Sequence, residues 1–178
     1  SWLIKTPVFD HFSLLAQYQG CIEFEQQQIE QQGLCSYEYA RSVSLHSLIA
    51  APIHDSYKIP IDFYTHQIIN LDQQTQILLT QANLLNTPAV VSMHIRRLDQ
   101  ANQVYQQVKF KVLAHYIDEF SSPTGEKMRL PKNFTWQAFD EHGKEFFEIF
   151  ASVNAAFHYG RGRGYASSFE YTGHFHQQ

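Results

Sequence analysis

Apolar and polar residues alternate with period two through most of this chain, and long stretches with the 3.6-residue period of a helix are scarce. Alternation at that spacing puts successive side chains on opposite faces of a strand, so the pattern predicts β-structure with one drier and one wetter face. Ala89, Val91, Met93 and Ile95 alternate with polar or mixed neighbours, and residues 104–116 alternate again after Asp99-Gln100-Ala101-Asn102. Folding about that turn predicts Met93 opposite Val108, Val91 opposite Phe110 and Ala89 opposite Val112. His94 then meets Gln107, and Ser92 meets Lys109, on the wetter side. A second hairpin is predicted around Asp140-Glu141-His142-Gly143, with Trp136 facing Phe147 and Phe134 facing Ile149. A third runs over 61–70 and returns over 76–85, and its Ile68, Ile69, Leu78 and Leu79 place apolar groups on both faces.

Segments 14–24, 33–40, 155–159 and 165–175 bring the expected total to about nine or ten strands. Many short strands joined by tight turns predict an all-β antiparallel barrel or sandwich whose enclosed side is oily. Ser121-Ser122-Pro123-Thr124-Gly125 through Pro131-Lys132-Asn133 reads as a loop, because Pro, Gly and Asn break regular structure. Nothing reads as a domain linker. At 178 residues and 44% hydrophobic content the chain suits one sizeable core, so a single domain over 1–178 is expected.

Two distant strings read almost alike, Cys35-Ser36-Tyr37-Glu38-Tyr39-Ala40 and Ser167-Ser168-Phe169-Glu170-Tyr171-Thr172. On a strand, Glu38 and Glu170 each point away from their aromatic neighbours. The pair predicts two related strands of one β-structure and offers a hint of paired-carboxylate chemistry.

Charge narrows the partners. A formal −4 and a pI near 6.2 give no general attraction to phosphate, which argues against nucleic acid. Gly160-Arg161-Gly162-Arg163-Gly164 is a single copy between strand-like runs and reads as a bulge or tight bend, not an RNA-binding segment. No apolar run approaches the ~20 residues of a membrane span, and the first residues lack a signal-peptide pattern. The reading is of a soluble protein, cytoplasmic by preference, with export open because the chain starts at Ser1-Trp2. Cys21 and Cys35 flank a polar tip over 26–32; a symmetric hairpin would set them opposite each other, as a disulfide or as two half-buried thiols. His174-Phe175-His176 puts two imidazoles on one strand face, but a zinc site normally needs three or four ligands. With no Cys-x-x-Cys or His-Glu-x-x-His pattern, no metal and no other cofactor is expected. There is no nucleophile elbow, phosphate-binding loop or dinucleotide fingerprint either.

His11-Phe12-Ser13-Leu14-Leu15, then Tyr18-Gln19-Gly20 and the string from Gly33 to Ala40, resemble a family of bacterial lipocalin-like proteins. Gly162-Arg163-Gly164-Tyr165 through Phe169-Glu170-Tyr171-Thr172-Gly173 resembles that family's closing strands. The family is similar in turn to the hydroxyneurosporene synthase, or carotenoid hydratase, group. The resemblance implies a lipocalin-like, calycin-like barrel of about 8–10 strands. Such proteins usually have two barrels and this chain has room for one, so the resemblance implies either one half of a two-barrel protein or a single-barrel relative, with a second barrel domain or a homodimer as partner.

A barrel of that size encloses space for one small ligand, and 14 Phe, 10 Tyr and 2 Trp would suit an apolar one. The leading expectation is binding of a lipid, polyprenoid or carotenoid-like molecule, with Tyr37, Tyr39, Phe169, Tyr171 and Trp136 as candidate contacts. The competing reading is that these rings simply fill the core. An enzymatic version would protonate an isoprenoid-like alkene, in a hydratase or cyclase reaction, with Glu38 or Glu170 as the acid and His11 as a further candidate. Aromatic support for the cation would have to come from strands other than the glutamate's own. A third reading is a non-catalytic interaction domain with a filled barrel.

Overall fold

In the computed structural model, the described residues are 2–5, 9–42, 61–116, 130–158 and 165–176. They form eleven strands: β1 (Trp2–Lys5), β2 (Phe9–Phe24), β3 (Gln27–Ser42), β4 (Ile61–Asn70), β5 (Thr75–Leu84), β6 (Thr87–Arg97), β7 (Gln100–Tyr105), β8 (Val108–Tyr116), β9 (Leu130–Phe139), β10 (Glu145–His158) and β11 (Tyr165–Phe175). The all-β, antiparallel expectation holds. Pairing among the described residues gives three open sheets, ordered β1-β2-β3, β4-β5-β6-β7 and β11-β10-β9-β8. The chain divides into two compact units, Ser1–Val104 and Tyr105–Gln178.

In the first unit, β2 and β3 form a hairpin of two 16-residue strands. Its turn is Glu25-Gln26, both at positive φ (47° and 67°), a type I′ geometry whose twist matches that of the strands. That two-residue turn corrects the expected tip over 26–32 and with it the cysteine pairing. Cys21 lies opposite Glu30 and Cys35 opposite Ala16, and both thiols are free. Leu85-Asn86 makes a second turn of the same kind between β5 and β6. The β4–β5 hairpin forms as expected, with Ile68 opposite Leu78 and Ile69 opposite Ile77. Asp72 closes its loop by accepting from the backbone N–H groups of Gln74 and Thr75, each at 2.7 Å.

One face of the β4–β7 sheet buries the apolar Ile69, Ile77, Leu79, Met93 and Ile95 together with Gln67, Thr75 and Gln81. The other face, expected to be the wetter one, is buried as well. It carries Gln76, Thr80, Ser92, His94 and Arg96, and it packs on the β2–β3 hairpin. The layer between these two sheets is therefore rich in polar and charged groups, with Leu34 and Leu78 buried among them.

The chain turns back after β6 as expected, but the strand that returns to pair with β6 is β7, and the expected pairings of Met93 with Val108, Val91 with Phe110 and Ala89 with Val112 do not form. β6 pairs with β5, setting Met93 against Leu79 and Val91 against Gln81, and β8 pairs with β9 in another sheet. Gln106-Gln107 interrupt the alternating run, and Val108 N–H donates to Gln106 O at 3.0 Å in a three-residue turn.

In the second unit, the β9–β10 hairpin forms with its register two residues from the expected one. Trp136 lies opposite Ile149, and Phe134 opposite Ala151. A slip of two keeps every side chain on its face, so the aromatic side is as expected. Asp140 organises the loop, accepting from the backbone of His142 at 2.9 Å and of Lys144 at 2.8 Å. The core row Phe110–Trp136–Ile149–Gly173 crosses all four strands. A β-carbon on Gly173 would collide with Glu148 O and lie 2.7 Å from Ile149 Cα, so only glycine fits there. Residues 155–158, expected as a separate strand, continue β10 past a bulge between Val153 and Ala155. Pro131, Lys132 and Asn133 belong to β9, not to a loop. The rest of that expected loop, 121–129, and the Gly160 to Gly164 segment lie outside the described residues.

Candidate functional site

The β2–β3 hairpin sorts its side chains by parity. Phe12, Leu14, Tyr37 and Tyr39 share one face, where Phe12 stacks on Tyr39 with ring centroids 5.1 Å apart. His11, Ser13, Ser36 and Glu38 share the other, where Ser13 lies opposite Glu38. Tyr37 and Tyr39 are thus separated from Glu38 by the thickness of the sheet, and both are exposed.

The polar face meets the β4–β7 sheet in a connected cluster. His11 Nε2 lies 2.8 Å from Glu38 Oε2, and His66 Nε2, from β4, lies 3.7 Å from the same oxygen. The imidazole rings of His11 and His66 are 5.4 Å apart. Ser13 and Ser36 hydroxyls both donate to Glu38 Oε1. Behind them Arg96 Nη1 donates to Ser13, Nη2 donates to Ser36 at 2.8 Å, and Nη2 also reaches Gln76 Oε1. Gln76 donates to Asn70 at 2.8 Å, and Asn70 to the backbone O of Leu34 at 3.3 Å, which ties the network back to β3. The His11 and His66 side chains are 8% and 15% exposed and that of Glu38 is 29%, so Glu38 is the cluster's opening to solvent.

Burial opposes charge on the Glu38 carboxyl, but His66, Ser13 and Ser36 together outweigh it and hold the group well below the usual carboxylate range. Glu38 is therefore an ionised acceptor at neutral pH, able to orient an imidazole, accept a proton or ligate a cation. Tyr64, two residues before His66 on β4, has its phenol pushed up by burial and by the Glu38 charge, which makes it the aromatic neighbour on the carboxylate's own side.

His94, on the same buried face of β6, is pushed down to about 4 by burial, with the charges of Arg96 and His66 adding to the effect. Because the folded value lies below the ordinary 6.5, the unfolded chain binds the extra proton first. Stability is then flat above that value and falls as pH drops toward 4. The shift corresponds to roughly 3–4 kcal/mol at most. Urea titrations across this window should show a loss in the wild type that is smaller in His94→Asn, and equal slopes would refute a neutral buried His94.

Of the other sequence-selected residues, Glu170 is exposed on β11 opposite Ser152, in a different sheet from Glu38. Phe169 meets Phe134 edge-on at 4.9 Å and lies 6.0 Å from Tyr171. Trp136 is fully buried against Phe110 at 4.6 Å. His174 and His176 do share a face, their rings 5.0 Å apart, and His174 lies 3.4 Å from Glu145. The structure thus joins His11 to Glu38 and adds His66, Arg96, Gln76 and Tyr64, which sequence reasoning missed. Two open depressions along the hairpin, about 290 and 510 Å³, are lined mainly by polar groups such as Gln17, Gln19 and Gln32.

Fold and site define an all-β protein with a His–Glu–His cluster between two antiparallel sheets. The chain matches DUF6670, a family of unknown function, over residues 1–178, and it belongs to that family. No curated protein and no solved structure matches it. Among the described residues no helix is long and apolar enough to cross a membrane.

Proposed function

We propose that this protein binds an apolar small molecule of the lipid, polyprenoid or carotenoid-like class, in a lipocalin-like barrel built from these strands. A polar group on that molecule, such as a hydroxyl, is anchored at Glu38. The observation that carries the reading is the partly exposed Glu38 carboxylate, held from behind by two serines and faced by the His11 and His66 imidazoles. An acceptor fixed in this way favours a ligand that donates a hydrogen bond over a hydrocarbon that cannot. A hydrogen bond to a charged group contributes about 1.5–3 kcal/mol, or roughly 10- to 100-fold in affinity. Organic extraction of purified protein is expected to yield a bound apolar compound. A fluorescent long-chain alcohol should bind saturably and at least about tenfold tighter than its hydroxyl-free analogue, a difference that shrinks in Glu38→Gln. An empty extract together with no saturable binding of either probe would overturn the reading.

The His11–Glu38 contact also favours a second reading, a hydratase or cyclase acting on an isoprenoid-like alkene. An ionised Glu38 cannot be the acid in that chemistry at neutral pH. The proton donor would be one of the two imidazoles that face the carboxylate, His11 or His66.

A further inference from the structure

We propose that His11, Glu38 and His66 form a binding site for a divalent transition metal of the zinc type, with a position left open for water or a ligand atom. Three donors of the right kind, two imidazole nitrogens and one carboxylate oxygen, lie within 4.8 Å of one another on three different strands. Two atoms bound to one tetrahedral zinc stand about 3.4 Å apart, given bonds of about 2.0–2.1 Å. The separations of His11 and His66 from Glu38 Oε2, 2.8 and 3.7 Å, bracket that value, so small side-chain movements complete the site.

The surroundings are arranged as a metal site requires. His66 Nε2 is buried and has no hydrogen-bond partner. The ring's other nitrogen, Nδ1, lies 3.0 Å from Thr80 Oγ1. A hydrogen bond on the far nitrogen is what orients a metal-ligating histidine and sets its tautomer. Glu38 is divided in the same way: Oε1 is held by Ser13 and Ser36, while Oε2 faces both imidazoles. Arg96 grips the serines, not the carboxylate, so its positive charge stays one residue behind the donor set. A second group of donors, Glu145, Glu148 and His174 on the β8–β11 sheet, differs in kind. Its two carboxylates already accept from Gln137 Nε2 at 2.8 and 3.0 Å, as in an ordinary surface polar cluster. A cation has a vacant buried nitrogen to satisfy only at the first site.

The test uses full-length protein purified without a nickel column and stripped with a chelator. Calorimetric titration with Zn²⁺ should give one equivalent per chain, and Co²⁺ should produce the visible absorption of a low-coordinate nitrogen–oxygen site that added Zn²⁺ displaces. His66→Ala and Glu38→Gln should abolish both signals, and His174→Ala should leave them unchanged. Thr80→Val, which keeps all three donors, should weaken zinc binding by about 10- to 100-fold, and it guards against a His66 variant that fails to fold. Absence of stoichiometric binding by the wild type, or binding lost in His174→Ala and kept in His66→Ala, would overturn the proposal. Because no lipid is present, this outcome is independent of the ligand-binding reading above.

Discussion

Replacing Arg96 with alanine is expected to lower the unfolding free energy by about 3–5 kcal/mol, the cost of breaking a buried charged network by removing one partner. Arg96 lies on the polar face of β6 and is fully buried, and its guanidinium joins Ser13, Ser36 and Gln76. Those groups belong to β2, β3 and β5, so a single side chain fastens the hairpin to the four-stranded sheet. Alanine would leave two hydroxyls, an amide and the Glu38 carboxylate without the positive charge they were arranged around. Lysine should recover only part of the loss, because one ammonium cannot reproduce the planar fork that reaches both serines and the amide. Urea unfolding followed by circular dichroism measures both variants. A loss below about 1 kcal/mol in Arg96→Ala would mean that the network does not hold the sheets together.

Trp136→Ala is expected to cost a similar amount, about 3–5 kcal/mol, through cavity formation in the second unit. The indole is fully buried and packs on Phe110 at 4.6 Å, with Ile149 as its cross-strand neighbour. Gly173 ends that row and has no side chain with which to fill the space. Trp136→Phe should cost less, since it keeps an aromatic ring and most of the buried area. The same pair of variants decides the role of this residue. If Trp136 were chiefly a ligand contact, alanine would abolish probe binding and leave the urea midpoint nearly unchanged; full burial predicts a large shift in the midpoint.

Much of the fold is legible in the chain because strand alternation is a local signal. The β4–β5 and β9–β10 hairpins, and the opposed faces of Tyr37-Glu38-Tyr39, follow from period two and nearby turn residues. Register is less legible. Trp136 meets Ile149 where Phe147 was expected, and both registers satisfy the same hydrophobic pattern because a slip of two preserves the faces. The run over 104–116 misled for a related reason: Val104 and Val108 keep the same parity across the break at Gln106-Gln107, which hides that β7 and β8 belong to different sheets.

The candidate site was half legible. His11 and Glu38 stand in the strings His11–Leu15 and Cys35–Ala40 that stood out in the chain, and their cross-strand relation follows from one hairpin. His66 and Arg96 carry no motif. Arg96 sits in a face that reads as solvated, since the pattern records polarity but not what will pack on it.

The sequence by itself determined the β-class of the chain, most of its strands and the sorting of side chains onto faces, because each depends on neighbours a few residues apart. Only the tertiary structure decided that a polar face is interior and that two histidines converge on one carboxylate oxygen. That outcome depends on the β4–β7 sheet covering the β2–β3 hairpin, a contact between residues far apart in the chain that no local period encodes.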